Sequence, residues 1–70
     1  MHLQEIAEHI KERRKAIGIS QEDLASLSSV SLRTLKAIES NKGNPTLQTL
    51  YDLTNVLGME LKLVIKPLNA

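Results

Sequence analysis

Residues 20–47 read SQEDLASLSSVSLRTLKAIESNKGNPTL, and this stretch decides the fold. Ser20 is a good N-cap for a helix with an acidic first turn, and Ser31 is a good N-cap for a second helix that runs to about residue 40. Between them, the Ser28-Ser29 pair interrupts the helical pattern. Two short helices joined by so tight a turn are typical of a helix-turn-helix, whose second helix enters the major groove of DNA.

The apolar spacing predicts which face of each helix is buried. The expected core residues are Leu24, Ala25 and Leu27 from the first helix, Val30 from the turn, and Leu35 and Ile38 from the second helix. At 100° per residue, four residues of the second helix point away from that core: Arg33, Lys36, Ala37 and Ser40. This outward face carries two cations and no acid, so it is suited to lie along a polyanion.

The segments on either side predict two further helices. In the first, apolar residues recur at helical spacing and Gly18 supplies a natural C-cap, which predicts a helix from about residue 3 to 16. Its apolar stripe consists of Leu3, Ile6, Ile10 and Ile17. In the last, Thr46 is a good N-cap and Gly58 ends the pattern. Its stripe consists of Leu47, Leu50, Leu53 and Leu57.

After Gly58 the apolar residues alternate instead of recurring every three or four residues. Met59, Leu61, Leu63 and Ile65 occupy alternate positions, which predicts a β-strand over residues 59–66. A solitary strand leaves backbone donors and acceptors unpaired beside an apolar face. The same strand from a second copy of the chain is the simplest partner, across a two-fold axis. The alternative is a tail that lies over the fourth helix of its own domain.

The composition limits the class of protein. Seventy residues form one small domain with an aliphatic core, since Tyr51 is the one aromatic residue. Such a core rarely supplies more than about 3–5 kcal/mol. Because Cys is absent, disulfides are excluded, which leaves efficient helix packing or a partner chain as the source of further stability. We expect a cytoplasmic protein, because no apolar run approaches the ~20 residues of a membrane span and no signal peptide is recognisable.

No residues are spaced for catalysis. His2 and His9 have no Cys at metal-ligand spacing, so we expect both on the surface and no bound metal. Asp23 and Asp52 lack a nucleophile and base arrangement. We therefore expect no enzyme activity, no cofactor and no small-molecule substrate. The net charge of +1 is weak support for nucleic-acid binding, so the distribution of charge has to decide.

The outward face of the second helix predicts how DNA is read. The N-terminal residues of a recognition helix reach base edges in the major groove, which makes Leu32, Arg33 and Ala37 the candidate base contacts. Arg33 is the strongest, because a guanidinium bonds guanine O6 and N7 together. Leu32 and Ala37 are limited to thymine methyl groups. Lys36 is better placed for phosphate.

Several polar residues around this helix are candidates for contacts to the DNA backbone. Gln21 lies in the first turn of the preceding helix, where an amide and nearby N–H groups suit a phosphate. The loop residues Asn41, Lys42 and Asn44 suit the same role, and ordinary solvated loop is the alternative. Ser31 is either a further backbone contact or only a helix cap.

Glu39 lies on the border of the inner face of the second helix, where an unpaired carboxylate is expensive. Arg13 or Arg14 from the first helix can neutralise it with charge-assisted hydrogen bonds. Angle alone does not choose between the two arginines. Either pair ties the first helix to the recognition helix and holds the latter at a fixed pitch.

Three short patterns together resemble the Cro/C1-type (XRE) helix-turn-helix family. They are Ser20-Gln21-x-x-Leu24-Ala25, Val30-Ser31-x-x-Thr34-Leu35-x-x-Ile38-Glu39 and Asn44-Pro45-Thr46-Leu47, within a match over about residues 5–58. The LGMELKL ending at 57–63 resembles the HipB-like branch of antitoxins, in which a dimer-forming strand replaces a fifth helix.

The resemblance implies a homodimer that binds a palindromic operator and represses its own operon. It implies base contacts from the residues aligned with Leu32, Arg33 and Ala37, and backbone contacts from those aligned with Gln21, Ser31, Lys36 and Lys42. It also implies an ion pair between Arg14 and Glu39. The HipB-like ending further implies a cognate HipA-type kinase toxin. Ser29 and Asn41 depart from the family, which usually has Gly at both positions.

The sequence thus predicts an all-α domain of four helices over residues 1–58, a dimerising strand over 59–66 and a tail over 67–70. The expected function is a bacterial, cytoplasmic repressor that joins the nucleoid when bound to double-stranded DNA. One alternative is a toxin-sequestering interaction module with secondary DNA binding, and another is a stand-alone or prophage regulator. A structural dimer without a ligand leaves the arrangement of Arg33, Lys36 and Lys42 unexplained.

Overall fold

Four α-helices form the domain. The computed structural model describes residues 3–67, and its helices are α1 (Leu3–Ile17), α2 (Gln21–Ser28), α3 (Leu32–Glu39) and α4 (Leu47–Val56). The predicted order and type of these helices are confirmed, with ends within two residues of the expected ones. The predictions for His2 and for the tail residues 68–70 lie outside the described residues.

Hydroxyl side chains begin three of the helices, as the sequence predicts. Ser20 Oγ accepts the Asp23 N–H at 3.0 Å while Asp23 Oδ2 accepts the Ser20 N–H at 3.2 Å, which is a capping box. Ser31 and Thr46 each accept the N–H three residues further on, at 3.1 Å. These bonds satisfy donors that have no partner inside the helix, and they define where α2, α3 and α4 begin.

Glycines end the two outer helices in the left-handed conformation. Gly18 has φ of 87° and Gly58 has φ of 70°, a region that glycine enters without steric cost. The next residue in each case bonds back across the end of the helix, from Ile19 N to Arg14 O at 3.3 Å and from Met59 N to Thr54 O at 2.8 Å. Both ends are therefore Schellman motifs, and both predicted glycine caps are confirmed.

The helices enclose an aliphatic core. α2 contacts both α3 and α4, and α1 contacts α3, so the short helix α2 lies at the centre of the packing. The buried apolar residues are Ala7, Ile10, Leu24, Ala25, Val30, Leu35, Ile38, Leu50, Leu53 and Leu57. Val30 occupies the predicted position between α2 and α3. The Ser28 hydroxyl beside it is also buried and donates to Leu24 O at 2.7 Å.

Three predicted core positions are wrong. Ile17, Leu27 and Leu47 are 44%, 65% and 75% exposed. Leu27 lies about 80° around α2 from the middle of the face that carries Leu24 and Ser28, and Ile17 and Leu47 lie at helix ends on the edges of their stripes. The positions nearer the centre of each face include the polar residues Ser28 and Arg14, which hydropathy does not assign to a core.

The C-terminal segment lies outside helix and strand in the single chain. Residues 59–67 contain neither element, so the strand predicted over 59–66 is not formed within one copy. A strand needs a neighbouring strand to accept and donate its backbone hydrogen bonds, and the rest of the described chain is helical or loop. Met59 packs partly against the core, whereas Leu61, Leu63, Val64 and Ile65 are exposed.

Candidate nucleic-acid interface

α3 turns one apolar face inward and one cationic face outward. Leu35 and Ile38 are buried, while Arg33 and Lys36 are exposed. This confirms the inner and outer faces that the helical spacing predicts. No helix among residues 3–67 is long and apolar enough to cross a bilayer, and no three acidic or His side chains of that range cluster to hold a metal.

The three candidate base contacts differ in how much surface they present. Arg33 is exposed, and the ion pair found among residues 3–67 joins other residues, which leaves the Arg33 guanidinium free for a ligand. Ala37 is half-buried beside it. Leu32 is also half-buried and packs partly against the core, so only part of its side chain is available to a base.

The loop after α3 is held close to the outward face. A Cβ added to Gly43 would lie 3.4 Å from Ala37 Cβ and 3.5 Å from the backbone of α3, so the loop approaches the helix as closely as a side chain permits. A groove of about 290 Å³ remains between them, lined by Arg33, Thr34, Ala37, Ile38, Gly43, Asn44 and Pro45. Asn44 and the candidate base contacts thus share one surface.

A Schellman motif positions Lys42. Asn41 has φ of 59° and its N–H bonds to Ile38 O at 3.0 Å, while Lys42 N–H bonds to Ala37 O at 2.9 Å. Asn tolerates this left-handed conformation better than most residues. This explains how the turn closes without the glycine that is usual at this position in the helix-turn-helix family that the sequence resembles. Asn41 and Lys42 are both exposed directly beyond the end of α3.

The structure pairs Glu39 with Arg14 and leaves Arg13 a different partner. Arg14 Nε donates to Glu39 Oε2 at 2.7 Å and Nη2 donates to Oε1 at 2.9 Å, and the two side chains are 11% and 3% exposed. The hydrogen bond to Glu39 raises the pKa of Arg14 above its ordinary value. Arg13 Nε instead donates to Leu57 O at 2.9 Å, at the end of α4.

Arg14 also fixes the entry into the helix-turn-helix. Its Nη1 donates to Ile19 O at 2.9 Å, in the segment directly before the N-cap of α2. One guanidinium therefore holds the start of α2 through the backbone and the end of α3 through a carboxylate. The planar, five-donor guanidinium suits this double role in a way that an ammonium does not.

Two of the predicted backbone contacts already have partners in the protein. Gln21 is half-buried, and its Nε2 donates to Glu39 Oε1 at 3.2 Å, a link that sequence reasoning missed. Ser31 caps α3, and its hydroxyl lies 2.8 Å from that of Thr34. The presence of an amide at the first position of α2 was visible in the sequence, but its reach to the end of α3 depends on how the helices cross.

Comparisons with known proteins agree with this geometry. Residues 10–64 match the family model described as helix-turn-helix. An uncharacterized HTH-type transcriptional regulator of Methanothermobacter thermautotrophicus is 35% identical over 51 residues, which are 73% of this chain and 74% of that protein. The uncharacterized HTH-type transcriptional regulator y4dJ of Sinorhizobium fredii is 33% identical over 54 residues, 77% of this chain and 70% of that protein. No solved structure matches the chain significantly. With its capped helices, its outward cationic face and this family match, the chain belongs to the XRE-type helix-turn-helix family of DNA-binding domains.

Proposed function

We propose that this protein is a sequence-specific transcriptional repressor that binds operator DNA as a homodimer and regulates its own operon. The observation that carries the proposal is the exposed Arg33 on α3, a helix held from behind by the buried Arg14–Glu39 pair. A base-reading side chain has to be free of protein partners and mounted on a rigid element, and Arg33 meets both requirements.

In the proposed complex, α3 lies in the major groove with its N-terminal half against the bases. Arg33 bonds a guanine, and Ala37 and the accessible part of Leu32 touch thymine methyl groups. The residues proposed to contact the DNA backbone are Gln21, Ser31, Lys36, Asn41, Lys42 and Asn44. Since a single guanine contact is a weak code, sequence-dependent DNA shape contributes to the choice of operator.

The proposed dimer forms through residues 59–66. Leu63 and Ile65 are exposed in the single chain, and apolar residues at alternate positions suit a strand with one covered face. Pairing with the same segment of a second copy would satisfy the backbone and cover these side chains. Two recognition helices would then read half-sites of a palindrome about 34 Å apart, one turn of B-DNA.

We further propose that the regulator is the antitoxin of a toxin–antitoxin pair, acting in the cytoplasm with a HipA-type kinase as its partner. The support is the 57–63 ending, LGMELKL, which resembles the HipB-like branch. A stand-alone regulator is the second candidate, favoured by the names of the two relatives, which describe transcriptional regulators. A module that mainly sequesters a toxin is the third, and we propose no catalytic role.

DNase footprinting of the DNA upstream of the protein's own gene tests the main proposal. We expect one protected palindrome whose half-sites are about 10 base pairs apart and each contain a guanine that Arg33 reads. Light scattering of the free protein should give twice the chain mass. Failure to protect any upstream sequence, together with equal affinity for operator and random duplexes, contradicts sequence-specific repression. A kinase-like gene beside this one, whose product copurifies with the protein, distinguishes the antitoxin from the stand-alone regulator.

A further inference from the structure

The buried carboxylate of Glu39 accepts three hydrogen bonds from two other helices. Oε2 accepts Arg14 Nε at 2.7 Å, and Oε1 accepts both Arg14 Nη2 at 2.9 Å and Gln21 Nε2 at 3.2 Å. Its side chain is 3% exposed, so this network replaces water almost completely. The last residue of the recognition helix is thereby joined to the first residue of α2.

The chemistry of the carboxylate determines how the Gln21 amide is turned. An ionised carboxylate is an acceptor only, so the NH₂ group of Gln21, and not its carbonyl oxygen, has to face Glu39. A primary amide nitrogen carries two N–H groups in one plane. With one of them directed at Glu39 Oε1, the direction of the other is set, and among residues 3–67 Glu39 is the acceptor found for this nitrogen.

The location of Gln21 indicates which group of bound DNA its second N–H can reach. Gln21 is half-buried at the start of α2, directly after the N-cap Ser20, so part of the residue reaches the surface. In a docked helix-turn-helix, the first helix of the motif crosses the DNA backbone while the second enters the groove. A donor at the start of α2 therefore meets a phosphate oxygen rather than a base edge.

We propose that Glu39 is a positioning residue for DNA binding, which acts through Gln21 by holding its amide with the second N–H directed at a phosphate. This inference rests on the proposed DNA-binding function. A glutamine side chain free in solution loses much rotational freedom when it is immobilised on a ligand. Because Glu39 has already fixed this amide, less freedom is lost on binding, and the same carboxylate sets the pitch of α3 through Arg14.

Loss of a direct bond from Gln21 to a phosphate changes the DNA affinity but not its salt dependence, which a purely structural role of Gln21 does not predict. An amide is uncharged, so losing its bond to a phosphate weakens binding without changing the number of counterions released. Gln21→Met keeps the length of the side chain and removes the donors. We expect it to weaken operator and random duplexes alike by roughly 2- to 12-fold, with an unchanged slope of affinity against salt concentration.

The chain offers a matched control on α4. Gln48 is the second residue of α4, and its Nε2 donates to Asp52 Oδ1 at 2.8 Å, which is also an amide-to-carboxylate bond at a helix start, but on an exposed surface. Gln48→Met should leave the affinity for both duplexes unchanged. Equal weakening by the Gln21 and Gln48 substitutions would overturn the assignment of a specific role to Gln21.

A double-mutant cycle tests the coupling between Glu39 and Gln21. Glu39→Asp keeps the charge opposite Arg14 but withdraws the carboxylate from Gln21 by one methylene. We expect it to weaken binding more in the wild-type background than beside Gln21→Met, because part of its effect falls on the contact that Gln21→Met has already removed. Effects that multiply independently would overturn the proposal. Operator duplexes with single methylphosphonate substitutions should identify one phosphate at which the wild type loses affinity and Gln21→Met does not.

The wild-type protein gives a second readout if Glu39→Asp does not fold. In the NMR spectrum of the free chain, the Gln21 side-chain amide should be as rigid as the backbone, and the amide of exposed Gln4 should be mobile. On addition of operator DNA, the chemical shift of one Gln21 amide proton should change strongly, while that of the other, which is bonded to Glu39, should stay the same. A mobile Gln21 amide would overturn the positioning role. Absence of any DNA binding by the wild type would instead reject the proposed function.

Discussion

Arg14 on α1 and Glu39 at the end of α3 form a bidentate ion pair, with Nε–Oε2 at 2.7 Å and Nη2–Oε1 at 2.9 Å. The two charges attract each other strongly because they are shielded from water, but both ions have lost their hydration. The net stabilisation by such a pair is therefore small, whereas the loss of one member leaves an uncompensated charge in the interior. This asymmetry makes the fold sensitive to the loss of either member of the pair.

Glu39→Ala should lower the free energy of unfolding by about 3–5 kcal/mol, because it leaves the Arg14 guanidinium buried without its carboxylate. A core this small rarely supplies more than that, so the variant should be largely unfolded at 25 °C. Urea denaturation followed by circular dichroism measures the loss. The double variant Arg14→Met with Glu39→Leu is the control, and it should regain most of the stability. A single-variant loss below about 1 kcal/mol would contradict the buried pair.

Arg33→Ala should weaken binding to the operator by about 1–3 kcal/mol and relax the base preference at one position per half-site. The change removes the proposed bidentate contact to guanine and should leave the fold intact, since Arg33 is exposed. Fluorescence anisotropy with operators mutated at each position measures both effects. An unaltered affinity with an unaltered preference for bases would reject Arg33 as a base reader.

Lys42→Ala should weaken binding to every duplex by a similar factor and flatten the slope of log affinity against log salt by about one unit. The reason is that Lys42 is exposed directly after the Schellman turn, and in the proposed complex its ammonium neutralises one phosphate. Titrations at several salt concentrations, on operator and random DNA, separate the two effects. A loss confined to the operator would make Lys42 a base reader instead.

Ser29→Gly should stabilise the fold by about 0.5–1 kcal/mol, because Ser29 ends α2 with φ of 60°, a conformation that costs any residue with a Cβ. Thermal unfolding followed by circular dichroism measures the change. Ser26→Gly, an exposed position inside α2, is the matched control and should destabilise by a similar amount. If both substitutions destabilise the protein, Ser29 does not carry the strain inferred from its φ.

Leu63→Glu should convert the proposed dimer to a monomer and weaken operator binding. Leu63 is fully exposed in the single chain, and in the proposed dimer the strand of the second copy covers its side chain. Val64→Glu changes an exposed apolar residue on the opposite side of the predicted strand and is the matched control. Light scattering reports the mass of each variant. Identical behaviour of the two variants would argue against a strand with one covered face.

The sequence determined the elements of this domain, because their signals are local. Ser20, Ser31 and Thr46 each cap a helix through a bond to an N–H three residues away, and Gly18 and Gly58 end helices by a conformation open to glycine. The outward direction of Arg33 also follows from a local rule, since helical spacing alone places it opposite Leu35 and Ile38. The type and order of the four helices, and the outward direction of Arg33, were therefore predictable.

Only the tertiary structure decided which residues meet across helices. The sequence left Arg13 and Arg14 as alternative partners of Glu39. In the structure Arg14 pairs with Glu39, and Arg13 donates to the backbone at the end of α4. The packing of the helices also exposed Leu27, against the apolar pattern. The link from Gln21 to Glu39 spans eighteen positions and depends on the crossing of α2 and α3. Contacts of this kind are set by the packing of whole helices, because hydropathy records whether a side chain avoids water and not which neighbour it meets.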